Sequence, residues 1–206
     1  MLRKLVVAVV FVVALGWLFW QSVQSSLSEP YVVRANLVSE WQLVLRGPLQ
    51  AGVGLLVLQP SDQLRAELFQ QIFNRTMESM TSPVTAAMPI VLHDEYQAMF
   101  GEGAETDELR SAAVKAGLED AVPTPVCIGV VRKTITGGSR QLYYALFEEP
   151  AVDRFRSNLA VAGGGELFSR TPFALVVPLA SSDANFASWF PLKVTAADCL
   201  APIKVG

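Results

Sequence analysis

The sequence predicts an α+β domain that follows one N-terminal transmembrane helix, and three observations lead to this prediction. Residues 5–20 contain no charged side chain. After them, strand-like and helix-like segments alternate unevenly over residues 31–206, a length that suits one domain. A Gly-Gly turn within residues 136–139 joins two strand-like runs, which is typical of an antiparallel hairpin. We therefore expect a mixed or mainly antiparallel sheet with about three helices.

The apolar run has the charge order of a signal anchor. Arg3 and Lys4 precede it and the next basic residue is Arg34, so the positive-inside rule places the N-terminus in the cytoplasm. As a helix, residues 5–20 extend about 24 Å, and their neighbours complete a hydrocarbon core of about 30 Å. The residues predicted to form the membrane anchor are Leu5, Val9, Phe11, Val12, Trp17, Phe19 and Trp20.

Cleavage distinguishes a membrane anchor from a signal peptide. The apolar run ends in bulky aromatic residues, which suit the membrane interface better than the pocket of a signal peptidase. Val23 and Ser25 offer a small-x-small site before Ser26, so a cleaved and secreted domain is the alternative. The predicted organisation is an anchor at residues 1–23, a polar linker at residues 24–30 and an exoplasmic domain at residues 31–206.

Strands are predicted where β-branched and aromatic residues cluster between turn signals. Gly47-Pro48 marks the turn between the second and third of them. The predicted strands are residues 31–37, 40–46, 52–59, 88–92, 126–135, 140–147, 172–179 and 192–195.

Three helices are predicted from the residues at their ends. Ser61 is placed to cap the first helix, and Thr106 to cap the second. Gly117 fits the C′ position of the second helix, and Pro150 fits position N1 of the third. A glycine run at residues 163–165 then ends the third helix. The predicted helices are residues 62–80, 107–116 and 150–160.

The composition narrows the class of protein. Hydrophobic residues make up 51% of the chain and charged residues 17%, which excludes a disordered protein. A net charge of −3 argues against a nucleic-acid partner, because phosphate binding needs clustered Lys and Arg. The chain has no phosphate-binding, dinucleotide-binding or serine-nucleophile motif. We therefore expect no cofactor and no catalytic site.

Few residues are candidates for chemistry. His93 is the only histidine, which excludes a two-histidine metal site. It could act as a base beside Asp94 and Glu95, although we expect these carboxylates to stabilise the start of the helix that follows. Residues 94–108 hold six acidic and no basic residues. We interpret this stretch as a solvated loop, with an acidic docking surface or a weak cation site as alternatives.

Cys127 and Cys199 are expected to form a disulfide, because the predicted topology places both outside the reducing cytoplasm. The alternatives are two buried thiols, or a nucleophile at Cys127 that is paired with His93.

An aromatic segment at residues 173–191 carries one charged residue, Asp183. Charge-poor aromatic surface is typical of the centre of an interface, so Phe186, Trp189 and Phe190 are candidate interface residues. The alternative is that these side chains fill the core of the sheet.

Together these features predict a non-catalytic accessory or scaffold subunit of a membrane-embedded complex, with other membrane-protein subunits and the lipid bilayer as partners. The composition resembles that of GC-rich bacteria, so we expect the bacterial inner membrane, with the N-terminus cytoplasmic and the domain periplasmic. The alternatives are a periplasmic or secreted hydrolase or thiol enzyme that uses His93 or Cys127, and a cleaved ligand-binding domain.

The first prediction is that the mature protein keeps residues 5–22 as an uncleaved membrane-spanning helix, because Trp17, Phe19 and Trp20 disfavour processing. Mass spectrometry of the protein from native membranes measures its N-terminus. A chain that begins near Ser26 would contradict the anchor.

Overall fold

Two sheets of unequal size form the domain in the computed structural model, which describes residues 2–47, 54–101, 105–136, 138–162 and 173–206. The helices of this described part are α1 (Leu2–Ser28), α2 (Ala35–Val38), α3 (Asp62–Thr76), α4 (His93–Phe100), α5 (Asp107–Lys115) and α6 (Pro150–Ala162). Its strands are β1 (Tyr31–Val33), β2 (Trp41–Leu45), β3 (Leu56–Pro60), β4 (Met88–Val91), β5 (Thr124–Ile135), β6 (Gly138–Glu148), β7 (Val176–Ser181) and β8 (Cys199–Val205).

The larger sheet is mixed and has the strand order β1-β8-β5-β6-β7. Strands β1 and β8 run parallel, whereas the other neighbours in this sheet are antiparallel. The smaller sheet is antiparallel, with the order β2-β3-β4. An isolated antiparallel bridge between Thr81 and Ser181 connects the segment after α3 to the end of β7. The α+β fold with a mixed sheet is therefore confirmed.

The domain has more helices than the sequence predicted. Five α-helices, α2 to α6, follow α1 in the described residues, where about three were expected. The two additional helices, α2 and α4, have four and eight residues. A short helix was expected after His93, and this is α4, whereas α2 was not predicted, because a helix of four residues depends on tertiary packing and carries little periodicity.

The helix-end signals are largely confirmed. The Ser61 hydroxyl accepts a hydrogen bond from the Leu64 amide at 3.3 Å and caps α3. Gly117 has a φ of +79°, a left-handed conformation that follows the last turn of α5. Pro150 is the first residue of α6, as predicted. Thr106 precedes α5 but its side chain makes no capping hydrogen bond.

Helix α3 is shorter than predicted. It ends at Thr76 rather than near residue 80, because Met77 adopts a left-handed conformation with a φ of +53°. The Met77 amide donates to the Phe73 carbonyl oxygen at 2.8 Å, which closes the last turn.

One predicted strand is shorter than expected and another is absent. The first predicted strand ends at Val33, and α2 follows because the Ala35 amide donates to the carbonyl oxygen of Gly206. The predicted strand at residues 192–195 is irregular; Thr195 instead caps a 3₁₀ turn, Ala196–Asp198, and β8 begins after it. The glycine run at 163–165 and residues 52, 53 and 172 lie outside the described residues.

Strand β6 separates two hydrophobic clusters. Its Tyr143, Ala145 and Phe147 belong to the larger cluster, which fills the space between the two sheets and the helices. Its Leu142, Tyr144 and Leu146 belong to a smaller cluster on the other face, together with Trp189 and Leu192. The β6 side chains alternate between the clusters because successive side chains of a strand point to opposite faces.

The second prediction concerns Gly129, which lies opposite Tyr144 in the β5–β6 ladder. A β-carbon at Gly129 would collide with the buried ring of Tyr144. Gly129→Ala should therefore lower the free energy of unfolding by about 1–3 kcal/mol, as measured by urea denaturation.

The matched control is Gly138→Ala in the same hairpin, where an added β-carbon meets nothing within 4 Å. It should change stability by less than about 0.5 kcal/mol. Equal effects of the two substitutions would show that the Tyr144 ring does not restrict Gly129.

Candidate functional site

Helix α1 is long and apolar enough to cross a membrane. Its 27 residues correspond to a length of about 40 Å. Every residue from Val9 to Ser22 is exposed, and Val9–Ser28 is the candidate span among the described residues. The predicted anchor residues Val9, Phe11, Val12, Trp17, Phe19 and Trp20 have exposures between 54% and 73%. Leu5 lies in α1, but its side chain is outside the described set.

The end of α1 is attached to the domain without a flexible linker. The helix continues through Ser28, so most of the predicted linker at 24–30 is helical. The Arg75 guanidinium, at the end of α3, donates to the carbonyl oxygens of Glu29 and Pro30. It also lies 3.9 Å from the centre of the Tyr31 ring, within cation–π range. One side chain therefore holds the point where the chain leaves α1.

The predicted disulfide is confirmed. Cys127 and Cys199 are bonded with their α-carbons 5.8 Å apart, within the usual range. The bond joins the neighbouring strands β5 and β8. Because its sulfur is in the disulfide, Cys127 has no thiol to act as a nucleophile.

The three candidate interface aromatics occupy different environments. Trp189 is only 2% exposed and packs in the smaller hydrophobic cluster, so it belongs to the core. The Lys133 ammonium lies 4.6 Å from the centre of its ring and donates to the Ser188 carbonyl oxygen. Phe190 is half-buried against the same cluster. Phe186 is half-buried and lines a cavity described below.

One of the two carboxylates that follow His93 has a structural role. Glu95 forms an ion pair with Arg156 of α6 at 2.7 Å, and the two side chains are 7% and 11% exposed. Glu95 also accepts a hydrogen bond from the Leu92 amide at the start of α4, as predicted for a carboxylate at a helix N-terminus. In the described part of the chain, no group of three or more His, Cys, Asp or Glu side chains could hold a metal ion.

A cavity of about 600 Å³ lies where the two sheets meet, next to the Thr81–Ser181 bridge. The segment between α3 and β4 forms one wall, and β7 with the loop after it forms another. The lining residues are Arg46, Thr81, Ser82, Pro83, Val84, Thr85, Ala87, Pro178, Ala184, Asn185, Phe186 and Ala187. We call this cavity the Arg46 pocket.

Arg46 is the unusual member of this lining. It directly follows β2 and is only 5% exposed. Its side chain makes no hydrogen bond or ion pair with the described residues. Burial lowers the pKa of the guanidinium from its ordinary value, because the protein interior disfavours the charged form.

A second arginine, Arg65, binds the segment that forms one wall of the pocket. Arg65 of α3 donates to the Ser82 hydroxyl at 2.8 Å and to the Pro83 carbonyl oxygen at 3.2 Å. The pocket was not predicted, because no sequence motif marks it. The available signal was a single basic residue, Arg46, at the end of the predicted strand 40–46 and just before the predicted Gly47-Pro48 turn.

Comparison with protein-family models, with curated proteins and with solved structures finds no match to this chain.

All four tyrosine side chains are buried. Burial raises the pKa of Tyr143 and Tyr144 to about 12, with smaller contributions from the Glu78 and Asp198 carboxylates respectively. Burial also raises the pKa of the other two tyrosines, Tyr31 and Tyr96.

The third prediction follows from these pKa values. The unfolded chain loses its tyrosine protons near pH 10, whereas the folded protein keeps them, so stability is complete below about pH 10 and falls as the pH rises toward 12. Tyr143 and Tyr144 should each contribute about 3 kcal/mol to this loss. Tyrosinate absorbance and urea denaturation, followed from pH 9 to about 12, measure the two effects. Half-titration of the folded protein near pH 10 would contradict the prediction.

Proposed function

We propose that this protein is a single-pass membrane protein and a non-catalytic accessory or scaffold subunit of a membrane-embedded complex. Its helix α1 packs against other spans and holds the domain beside them. The observation that carries the proposal is that α1 presents an exposed apolar surface from Val9 to Trp20 and then enters the domain without a flexible joint.

The attachment of α1 supports a role beyond tethering. A simple anchor needs only a flexible linker, which leaves the domain free to rotate. Here Arg75 binds the carbonyl oxygens of Glu29 and Pro30 and stacks on Tyr31, so the direction of the helix is coupled to α3 and β1. A fixed direction is useful when the helix and the domain contact the same assembly.

Two features support an exoplasmic domain and a cytoplasmic N-terminus. The disulfide between Cys127 and Cys199 is of the kind that persists in oxidising compartments. Arg3 and Lys4 precede the apolar stretch, as the positive-inside rule requires for this orientation. In bacteria, this topology corresponds to the inner membrane with a periplasmic domain.

The fourth prediction tests whether α1 packs against other spans. In the test variant, all residues from Val9 to Gly16 are replaced by leucine, which keeps the length and hydropathy of the helix but removes its specific surface. The variant should remain in the membrane fraction after alkaline washing. On a native gel in mild detergent, it should migrate as a monomer, whereas the wild-type protein should migrate in a larger species.

The matched control is Val10→Leu, which makes the same kind of change at one position and should keep the larger species. Migration of the wild-type protein as a monomer would contradict the proposal. So would an all-leucine variant that stays in the larger species, because the helix would then serve only as an anchor.

A further inference from the structure

We propose that the Arg46 pocket is a binding site for a small monocarboxylate with an apolar body. The pocket belongs to the domain, so this inference does not depend on the membrane assembly proposed above. Its test uses the purified full-length chain and a direct binding measurement.

Arg46 carries a charge that no described residue pairs with. Arginine keeps its charge in proteins, and a buried charge is normally paired because removing it from water is costly. Arg46 is more than nine-tenths buried, and its side chain makes no hydrogen bond or ion pair with the described residues. Its nitrogens are not among the side-chain atoms that are fully buried without a hydrogen bond, so the guanidinium is accessible from the pocket that it lines. A bound anion would supply the missing partner.

No acidic side chain competes with a ligand for Arg46 in the described lining of the pocket. The described residues that line it include no acidic side chain. Asp183, which precedes the lining residue Ala184, is already bound to Arg140 in an ion pair and accepts a hydrogen bond from the Asn185 amide. The positive charge of Arg46 is therefore available to a ligand.

A monocarboxylate matches both the geometry and the charge of the Arg46 guanidinium. The planar guanidinium fork matches the two oxygens of a carboxylate, and Thr85 and Asn185, which also line the pocket, have side chains that can donate hydrogen bonds. One arginine balances one negative charge. A phosphate dianion would keep an unbalanced charge, because Arg46 is the only basic residue of the described lining.

The apolar part of the pocket lining fits an apolar ligand body. Val84, Pro178 and Phe186 give the pocket apolar walls, and its volume of about 600 Å³ is typical of small-molecule sites. Arg65 holds Ser82 and Pro83 in place, so part of the wall is ordered before a ligand binds. These features suit an aryl or alkyl carboxylate.

The fifth prediction is tested with 3-phenylpropionate as the probe, titrated into the full-length protein in mild detergent and followed by calorimetry. We expect saturable one-to-one binding with a Kd below about 1 mM. The neutral analogue 3-phenylpropionamide should bind at least about tenfold more weakly, because it lacks the charge that Arg46 recognises. Inorganic phosphate should bind more weakly than 3-phenylpropionate.

Two variants locate the site. Arg46→Met should weaken the binding of 3-phenylpropionate at least about tenfold, whereas Arg110→Met, at an exposed position of α5, should leave it unchanged. Without ligand, Arg46→Met should keep or raise the Tm, since an apolar side chain replaces an unpaired buried charge. An arginine with only a structural role would instead lower the Tm when replaced.

Several results would overturn the proposal. They are the absence of saturable binding, equal affinity for the acid and its amide, tighter binding of phosphate, and unchanged binding by Arg46→Met. If Arg46→Met does not fold, the comparison of acid and amide on the wild-type protein still decides. In that case, Thr85→Val is used as the test variant instead of Arg46→Met. It removes one hydrogen-bond donor from the pocket at nearly constant volume and should weaken the binding of 3-phenylpropionate.

Discussion

The structure depends on strand β6, which is buried on both faces over residues 142–147. Strand β6 places Tyr143, Ala145 and Phe147 in the larger hydrophobic cluster, and Leu142, Tyr144 and Leu146 in the smaller one. A strand in this position needs apolar residues without interruption, because neither face meets water. It pairs with β5 on one side and with β7 on the other, so the hairpin, the disulfide and the end of β7 beside the Arg46 pocket are all positioned from it.

Features that are encoded locally were predictable. Four such features are the β5–β6 hairpin, the Ser61 cap, the left-handed Gly117 and the N1 proline Pro150. Each depends on a few neighbouring residues, so one short stretch of sequence contains the whole signal. The α1 helix was predictable for the same reason, since a long apolar stretch is recognised by composition alone. The disulfide followed from topology and the count of two cysteines, rather than from any local pattern.

Features that depend on contacts between distant segments were not predictable. Pro202 argues against a strand in its part of the sequence. Strand β8 is nevertheless present there, because it pairs with β1 on one side and with β5 on the other. Trp189 has the same composition signal as an interface residue, and only packing against Leu142 and Tyr144 places it in the core. For the candidate site, the sequence shows Arg46 as one more basic residue. Its isolation becomes visible only when two sheets and the segment after α3 close around it.

The parallel pairing of β1 with β8 has a consequence for how the chain folds. Tyr31 pairs with Ile203, so the ladder joins residues that are 203 − 31 = 172 positions apart. Contacts of such long sequence separation are entropically expensive to form first. We therefore expect the local β5–β6 hairpin to form early and the β1–β8 ladder to close late. Until that ladder closes, β1 and the side of β8 that faces it are open edges with which another chain could pair, so the partly folded protein is exposed to aggregation.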